Sequence, residues 1–361
     1  MNKIIDLHCD TIQEIQAGVN FRESAASSHI DLNRLKKGNV GVMTFACFIS
    51  SILPQKKAFS EVNKLLDLIT EIAEQNSEEI TFTETADEIE KIINSDKIGI
   101  LAAVENGHAI ENNLDNLEKL RMRGVRYMTL THSKNLSWAA SSGEKSCDFE
   151  GLTNFGEKVI SAMNDMGVVI DVSHVHESTF WDVARLSNRP FIASHSNASS
   201  VCPIARNLTD DQIKAIADSG GMVGINFFPG FLDIKYWDEL LNRCGELFEI
   251  FDEIEKKHIN NPVQKMSEMR KWSAELKNKM ADQIVKSDKI IEHIDHIIKL
   301  VGDDYVGFGS DFDGVPALPA NINGCDYYPE LINMLEQKGY NNTSIEKISH
   351  RNFIRVLSDN E

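Results

Sequence analysis

Residues 4–10 read Ile4-Ile5-Asp6-Leu7-His8-Cys9-Asp10, an apolar strand that ends in His-x-Asp. Side chains alternate along a strand, so His8 and Asp10 share a face. An imidazole and a carboxylate side by side at a strand's C-terminal end are suited to a divalent cation. One such triplet says little by itself. It gains meaning from the rest of the chain, where apolar strands keep ending in residues of the same kind.

Working outward, short apolar runs recur at 3–9, 40–48, 98–105, 125–131, 167–173, 190–195, 221–227 and 304–311. Amphipathic stretches lie between them, among them 58–76, 154–166, 176–187 and 209–219. Strand–helix alternation predicts an α/β fold with a parallel sheet, and eight repeats predict a closed (β/α)8 TIM-type barrel over 1–361 as one domain. The alternative is an open doubly wound sheet, which is expected to carry a Gly-rich phosphate loop after an early strand. Neither G-x-G-x-x-G nor G-x-x-x-x-G-K-[ST] occurs. Helix boundaries have local support: Thr209 and Gln212 form a capping-box pattern, while Ser219-Gly220-Gly221 and Gly167 are C-terminal stops.

One segment breaks this rhythm. About seventy residues, 228–303, separate the seventh strand from the eighth. Residues 283–300 fit the regular barrel helix, with Ile284, Ile290, Ile291, Ile294, Ile297 and Ile298 on or near one face. The remainder, 232–282, reads as an inserted helical pair. An insertion after a strand lies on the C-terminal side, where barrel active sites sit. It can roof the site, make a homodimer contact or be a solvated excursion.

The composition, 42% hydrophobic and 25% charged, is that of a soluble globular enzyme. A net charge of −18 argues against nucleic acid as a partner. Six scattered cysteines without a C-x-x-C pair read as reduced thiols. No signal-peptide pattern precedes the first strand and no run is long enough to span a membrane, so the expectation is a cytoplasmic protein without a membrane partner.

The strand ends carry the chemistry. Strand one offers His8 and Asp10, strand three Glu105, strand four His132, strand five His174, strand six His195 and strand eight Asp311. In a barrel these ends converge on one mouth. Each of them alone has a plain structural use, as a helix cap or a partner for a loop carbonyl. Seven at successive strand ends are poorly explained as seven accidents. His29, His108, His176, His258, His293, His296 and His350 fall off the strand ends and read as surface, cap or packing residues; His176, two residues past His174, is the most easily confused with a ligand. Three imidazoles and two carboxylates suit zinc or another first-row divalent ion. Five protein ligands exceed one tetrahedral catalytic site. Two ions sharing a bridging carboxylate and a bridging hydroxide fit better, which implies metal-assisted hydrolysis. No G-x-S-x-G and no H-E-x-x-H is present.

The motifs Asp6-Leu-His-Cys-Asp10, Glu105-Asn-Gly, Leu130-Thr-His-Ser133 with Asn135 and Trp138-Ala, Ile170-Asp-Val-Ser-His174, Ser194-His-Ser196, Ser200-Val-Cys202 with Arg206-Asn207, and Gly309-Ser-Asp-Phe-Asp-Gly314 follow one another nearly end to end. In this order they resemble the membrane (renal) dipeptidase family of zinc peptidases, within the amidohydrolase superfamily of barrels. The resemblance implies a binuclear zinc dipeptidase. His8 and Asp10 would hold one ion, Glu105 would bridge, and His174 with His195 would hold the second. His132 would touch the substrate carbonyl and stabilise the oxyanion. Arg206 would bind the substrate's terminal carboxylate with its planar fork of donors. Asp311, rather than Asp313, would pass a proton from the attacking water to the leaving amine.

The chain departs from that family in places. It reads Phe228-Pro-Gly-Phe231 where members often place a tyrosine near the substrate, and the expectation is that the leader and lipid-anchor signal of membrane-bound members are missing. Its helical insertion is absent from mammalian members and resembles longer bacterial ones. Two other readings stand beside the dipeptidase: a hydrolase of other carboxylate-bearing amides, such as N-acyl amino acids or lactams, and a non-catalytic metal-binding scaffold.

Overall fold

The computed structural model describes residues 2–23, 28–144, 147 and 149–361. Its centre is a closed parallel barrel of β1 (Ile4–Cys9), β2 (Val40–Phe48), β3 (Ile98–Glu105), β4 (Val125–Thr129), β5 (Val169–Asp171), β6 (Ile192–Ala193), β7 (Met222–Ile225) and β8 (Val306–Phe308). The strands neighbour one another in the order β2-β1-β8-β7-β6-β5-β4-β3, and pairing of β2 with β3 from Val42↔Gly99 to Phe48↔Glu105 closes the ring. All eight expected strands are there. A further short strand, Ile80–Phe82, runs beside the start of β3, where β4 has not yet begun: β4 joins β3 only from Ala102 onward. Three residues are too few to show a period in the sequence.

Apolar residues fill the barrel and its lower end. Ile5, Leu7, Leu101, Ala103, Tyr127 and Val169 pack together with Phe353, Val356 and Leu357 of the C-terminal helix Asn352–Asn360. A register irregularity lies between Asp6 and Cys9 of β1, and it interrupts simple alternation. His8 meets Tyr127, which belongs to the same packed layer as Leu7. Asp6 turns instead to Ser310 and to Tyr328 of the helix Tyr328–Gln337.

The helices bear out the local signals. Thr209 and Gln212 close a capping box on Asp210–Asp218, and Gly167 ends Asn154–Met166 at φ 65°. The helix before β8 starts later than the isoleucine pattern suggests. It spans Asp288–Val301 and leaves Ile284 66% exposed.

Between β7 and that helix lie two long helices, Ile234–Lys257 and Pro262–Lys279. Asp233 caps the first through the Lys235 and Tyr236 amides, and Asn261 followed by Pro262 starts the second. A short connection makes them a helical hairpin. The Trp272 indole N–H donates to the Leu247 carbonyl at 2.7 Å and its ring meets Phe251, which locks the pair. Ion pairs fasten the hairpin to the barrel mouth. Arg270 binds Glu14 of the helix Thr11–Gln16, and Lys134, just after β4, binds Asp252 at 2.9 Å. The hairpin thus stands over the C-terminal ends of the strands. No helix among the described residues is long and apolar enough to cross a membrane.

Candidate active site

Parallel strands deliver their C-terminal residues to one mouth, and the expected groups meet there. Glu105, at the end of β3, is the hub. His8 Nε2 lies 3.6 Å from its Oε2. His174 Nε2, His195 Nε2 and His132 Nε2 lie 3.2, 3.5 and 4.0 Å from its Oε1. His8 Nε2 is also 3.7 Å from Asp10 Oδ2. Three overlapping groups each have their donor atoms within 4.8 Å: His8, Glu105 and His195; Glu105, His132 and His174; His8, Asp10 and Asp311. His174 at φ 68° and Asp311 at φ 61° are held in left-handed backbone, a local strain of the sort that gathers at functional sites.

Two of the imidazoles are fixed in the tautomer a cation needs. Tyr127 Oη donates to the Leu7 carbonyl at 2.6 Å and so accepts from His8 Nδ1 at 2.8 Å. Ser194 Oγ donates to Asp171 Oδ2 at 2.6 Å and accepts from His195 Nδ1 at 2.7 Å. Both arrangements place a ring proton on Nδ1 and turn Nε2, the atom that can bind a cation, into the cluster. His8 Nε2 is buried there without a hydrogen-bond partner. An orphaned imidazole nitrogen facing carboxylates fits a metal ion, and the His and carboxylate donor set fits zinc.

The electrostatics agree. Burial opposes the Glu105 charge, but the surrounding imidazoles outweigh it and hold the carboxyl well below its ordinary value. Burial also opposes a charge on His8, yet Glu105, Asp10 and Asp311 raise it to about 10. The pocket around His8 therefore favours positive charge. Burial, and then the Glu105 charge, push Asp10 well up. Burial pushes His174 and His195 well down and keeps both neutral.

His132 and Asp311 sit differently. His132 is the most open of the four clustered imidazoles, with 22% of its side chain exposed, and its ring packs against Phe48. Burial lowers it. Asp311 Oδ2 accepts from Asn226 Nδ2 at 2.8 Å, and burial raises it to about 6. Asp313 is tied up by the Thr11 and Ser28 hydroxyls and the His29 amide. His176 caps the helix Glu177–Leu186 through the Ser178 amide and does not join the cluster. His293 and His296 are also elsewhere: His293 bridges the Ala198 amide and the Leu232 carbonyl, and His296 pairs with Asp210.

A cleft of about 470 Å³ opens above the cluster. Asp10, Glu105, His132, His174 and Asp311 form its floor, while Trp237, Phe251, Met266 and Met269 of the hairpin form its roof. Arg206 is one layer back from this lining. Its guanidinium donates to Ser196 Oγ at 2.6 Å and the His195 carbonyl at 2.9 Å, and packs under Phe231 at 5.5 Å. Its Nε is buried and unpartnered. Burial lowers Arg206 to about 10.

Sequence reasoning passed over the supports. Tyr127, Ser194 and Asn226 touch the clustered groups, and Asp171 acts one step behind them by accepting from the Ser194 hydroxyl; none of the four was given a role by the sequence. Asn226 carried a usable signal, because it stands just past β7, a strand end that had been assigned no chemistry.

Residues 1–361 match the family model described as membrane dipeptidase, peptidase family M19. An uncharacterized dipeptidase of Schizosaccharomyces pombe is 28% identical over 380 residues, covering 99% of this chain and 80% of that protein. Dipeptidase tcpJ of Claviceps purpurea is 26% identical over 371 residues, covering 99% of this chain and 76% of that protein. Among solved structures, a metallo peptidase from Rhodobacter sphaeroides, liganded with a phosphinate mimic of the dipeptide L-Ala-D-Ala, superposes with a TM-score of 0.80 at 24% identity, covering 100% of this chain and 99% of that one. The probable dipeptidase PvdM from Pseudomonas aeruginosa superposes with a TM-score of 0.80 at 22% identity over 99% of this chain and 95% of that one.

Proposed function

Since the chain belongs to the membrane dipeptidase family, peptidase family M19, and is a metal-dependent peptidase on that ground, we propose that it hydrolyses dipeptides with two zinc ions held by His8, Asp10, Glu105, His174 and His195. The observation that carries this reading is the convergence of His8, His174 and His195 on Glu105, with Asp10 beside His8 and the buried Nε2 of His8 unpartnered among them. The dipeptide mimic bound by the Rhodobacter relative supports the substrate class.

When bound, two such ions supply the Lewis acidity that polarises a peptide carbonyl and makes water a nucleophile near neutral pH. The remaining work falls to the chain's own groups. His132 is neutral and open to the cleft, so its Nε2–H can donate to the oxygen on which charge develops. Asp311, raised by burial to about 6 and oriented by Asn226, takes a proton from the attacking water and returns it to the leaving amine. The Arg206 guanidinium, with an unpartnered Nε, reads the terminal carboxylate. The hairpin covers the cleft with Trp237, Phe251, Met266 and Met269.

The test is metal analysis combined with a substrate panel. Reconstituted protein should contain two zinc ions per chain and cleave dipeptides, and Glu105→Ala should lose metal and activity together. One ion or fewer in fully active protein would refute the binuclear reading. Cleavage of N-acyl amino acids but not dipeptides would move the substrate to other carboxylate-bearing amides. Metal without any hydrolysis would leave a binding protein.

A further inference from the structure

We infer that the aromatic wall Phe228–Phe231–Trp237 is the subsite for the substrate's C-terminal side chain, and that it selects dipeptides ending in a bulky apolar residue. This rests on the dipeptidase reading and on Arg206 as the group that holds the terminal carboxylate.

The wall has two sources. Phe228 and Phe231 lie just past β7, in and before the short helix Pro229–Leu232, and Trp237 opens the first hairpin helix. The Phe228 and Phe231 rings meet edge to face at 4.9 Å, and the Phe231 and Trp237 ring centroids are 6.1 Å apart. All three rings line the cleft. Phe228 is buried and backed by Tyr236 at 6.3 Å, so it anchors the other two. Asn207 Nδ2 donates to the Phe231 carbonyl at 2.9 Å, which fixes that turn to the loop bearing Arg206.

Position decides which side chain the wall meets. Phe231 lies directly over the Arg206 guanidinium. In a dipeptide the terminal carboxylate and the C-terminal side chain branch from the same Cα. A carboxylate held by Arg206 therefore places that side chain beside the ring stacked on Arg206. The N-terminal side chain departs from the other end of the scissile bond.

Chemistry decides what the wall prefers. Three rings carry no charge and present large apolar faces, with the Trp237 indole N–H as their one polar group. A dipeptide of two small residues fills only part of a cleft of about 470 Å³, a size in the range that encloses a drug-like molecule. A leucine or phenylalanine at the C-terminal position covers the rings and removes apolar surface from water.

Steady-state kinetics on Ala-Ala, Ala-Leu, Ala-Phe, Leu-Ala and Phe-Ala tests this with the zinc-loaded full chain. Wild type should show kcat/KM for Ala-Leu and Ala-Phe at least about tenfold above Ala-Ala, in keeping with hydrophobic discrimination of a few methylenes. Enlarging the N-terminal residue should matter less. Trp237→Ala should reduce the Ala-Phe to Ala-Ala ratio at least threefold, and Trp237→Phe should restore most of it. If Trp237→Ala does not fold, Trp237→Leu reads the same ratio. A wild-type ratio near one, or a ratio unmoved in these variants, overturns the subsite and leaves the dipeptidase reading intact. Failure to cleave any of the five overturns both.

Discussion

The Nε2 atoms of His174 and His195 lie 2.8 Å apart, although the residues end different strands twenty-one positions apart in sequence. Both point at Glu105 Oε1, and burial keeps both neutral. Ser194 occupies the far side of the His195 ring, so the proton of that ring sits on Nδ1 and its inner nitrogen presents a lone pair. Two inward imidazole nitrogens against a carboxylate, held by barrel geometry, make this a candidate cation site.

The chain Asp171–Ser194–His195 should therefore matter for metal affinity as well as for packing. Ser194→Ala removes the acceptor for His195 Nδ1 and frees the ring to turn or change tautomer. Zinc affinity should fall about 10–100-fold, the usual scale for losing such a supporting hydrogen bond. Chelator competition measures it. Unchanged affinity in a folded variant would show that packing alone, including the 3.8 Å stack of His195 on His8, orients the ring.

Asp311→Asn tests the proton shuttle with little disturbance of the backbone, because asparagine tolerates the φ of 61° found there. Both ions should remain bound while kcat falls by about 10²–10⁴, the scale of a general acid–base group. Loss of metal would make Asp311 a ligand, consistent with its place beside His8 and Asp10. Near wild-type kcat with both ions bound would remove it from the reaction.

The parts legible in the sequence share one physical property: their signal is local. β1 is visible because six consecutive residues combine strand propensity with an end in His-x-Asp, and Thr209 with Gln212 announces a helix start within four residues. Glu105, His132, His174, His195 and Asp311 are visible because a parallel barrel gathers strand ends. Tyr127, Asp171 and Asn226 gain their roles from partners distant in sequence, such as the Tyr127 hydroxyl reaching His8 across 119 positions, and Ser194, although next to His195, is set by Asp171 twenty-three positions away. The hairpin is readable as helices from its period, but the period does not say what a helix faces. The ion pairs of Arg270 with Glu14 and of Lys134 with Asp252, which set the roof over the mouth, are likewise long-range.

His293 gives a pH dependence of stability that is separate from the metal cluster. It is buried, with Nδ1 accepting from the Ala198 amide and Nε2 donating to the Leu232 carbonyl. That pattern requires the neutral ring, and burial lowers its pKa from 6.5 to about 4. A depressed histidine contributes stability that is complete above the unfolded pKa and is lost as pH falls toward the folded one. The loss spans roughly pH 6.5 to 4 and amounts to about 3 kcal/mol by linkage. His293→Gln should be less stable than wild type at pH 7, and the gap should narrow in denaturant titrations at pH 5.5 and 4.5. Parallel stability curves for the two proteins would remove His293 from the acid response.

Arg206 is the group whose removal most directly tests how the substrate is read. Its guanidinium is already oriented by Ser196 and the His195 carbonyl and stacked under Phe231, while Nε has no partner. A carboxylate would satisfy that donor and meet a planar fork held in place before binding. Wild type should cleave free dipeptides and handle C-terminally amidated ones poorly. Arg206→Ala should lose roughly 2–5 kcal/mol in kcat/KM on free dipeptides, the cost of breaking a buried hydrogen-bonded charge pair. The variant should also discriminate little between free and amidated ends, since the group that told them apart is gone. Metal content separates this from collateral damage, because the His195 carbonyl that Arg206 braces belongs to a proposed ligand residue. If wild type cleaves free and amidated dipeptides equally well, Arg206 does not read the carboxylate, its contacts to Ser196 and His195 serve to hold that loop, and the specificity for dipeptides must come from the amino end of the cleft.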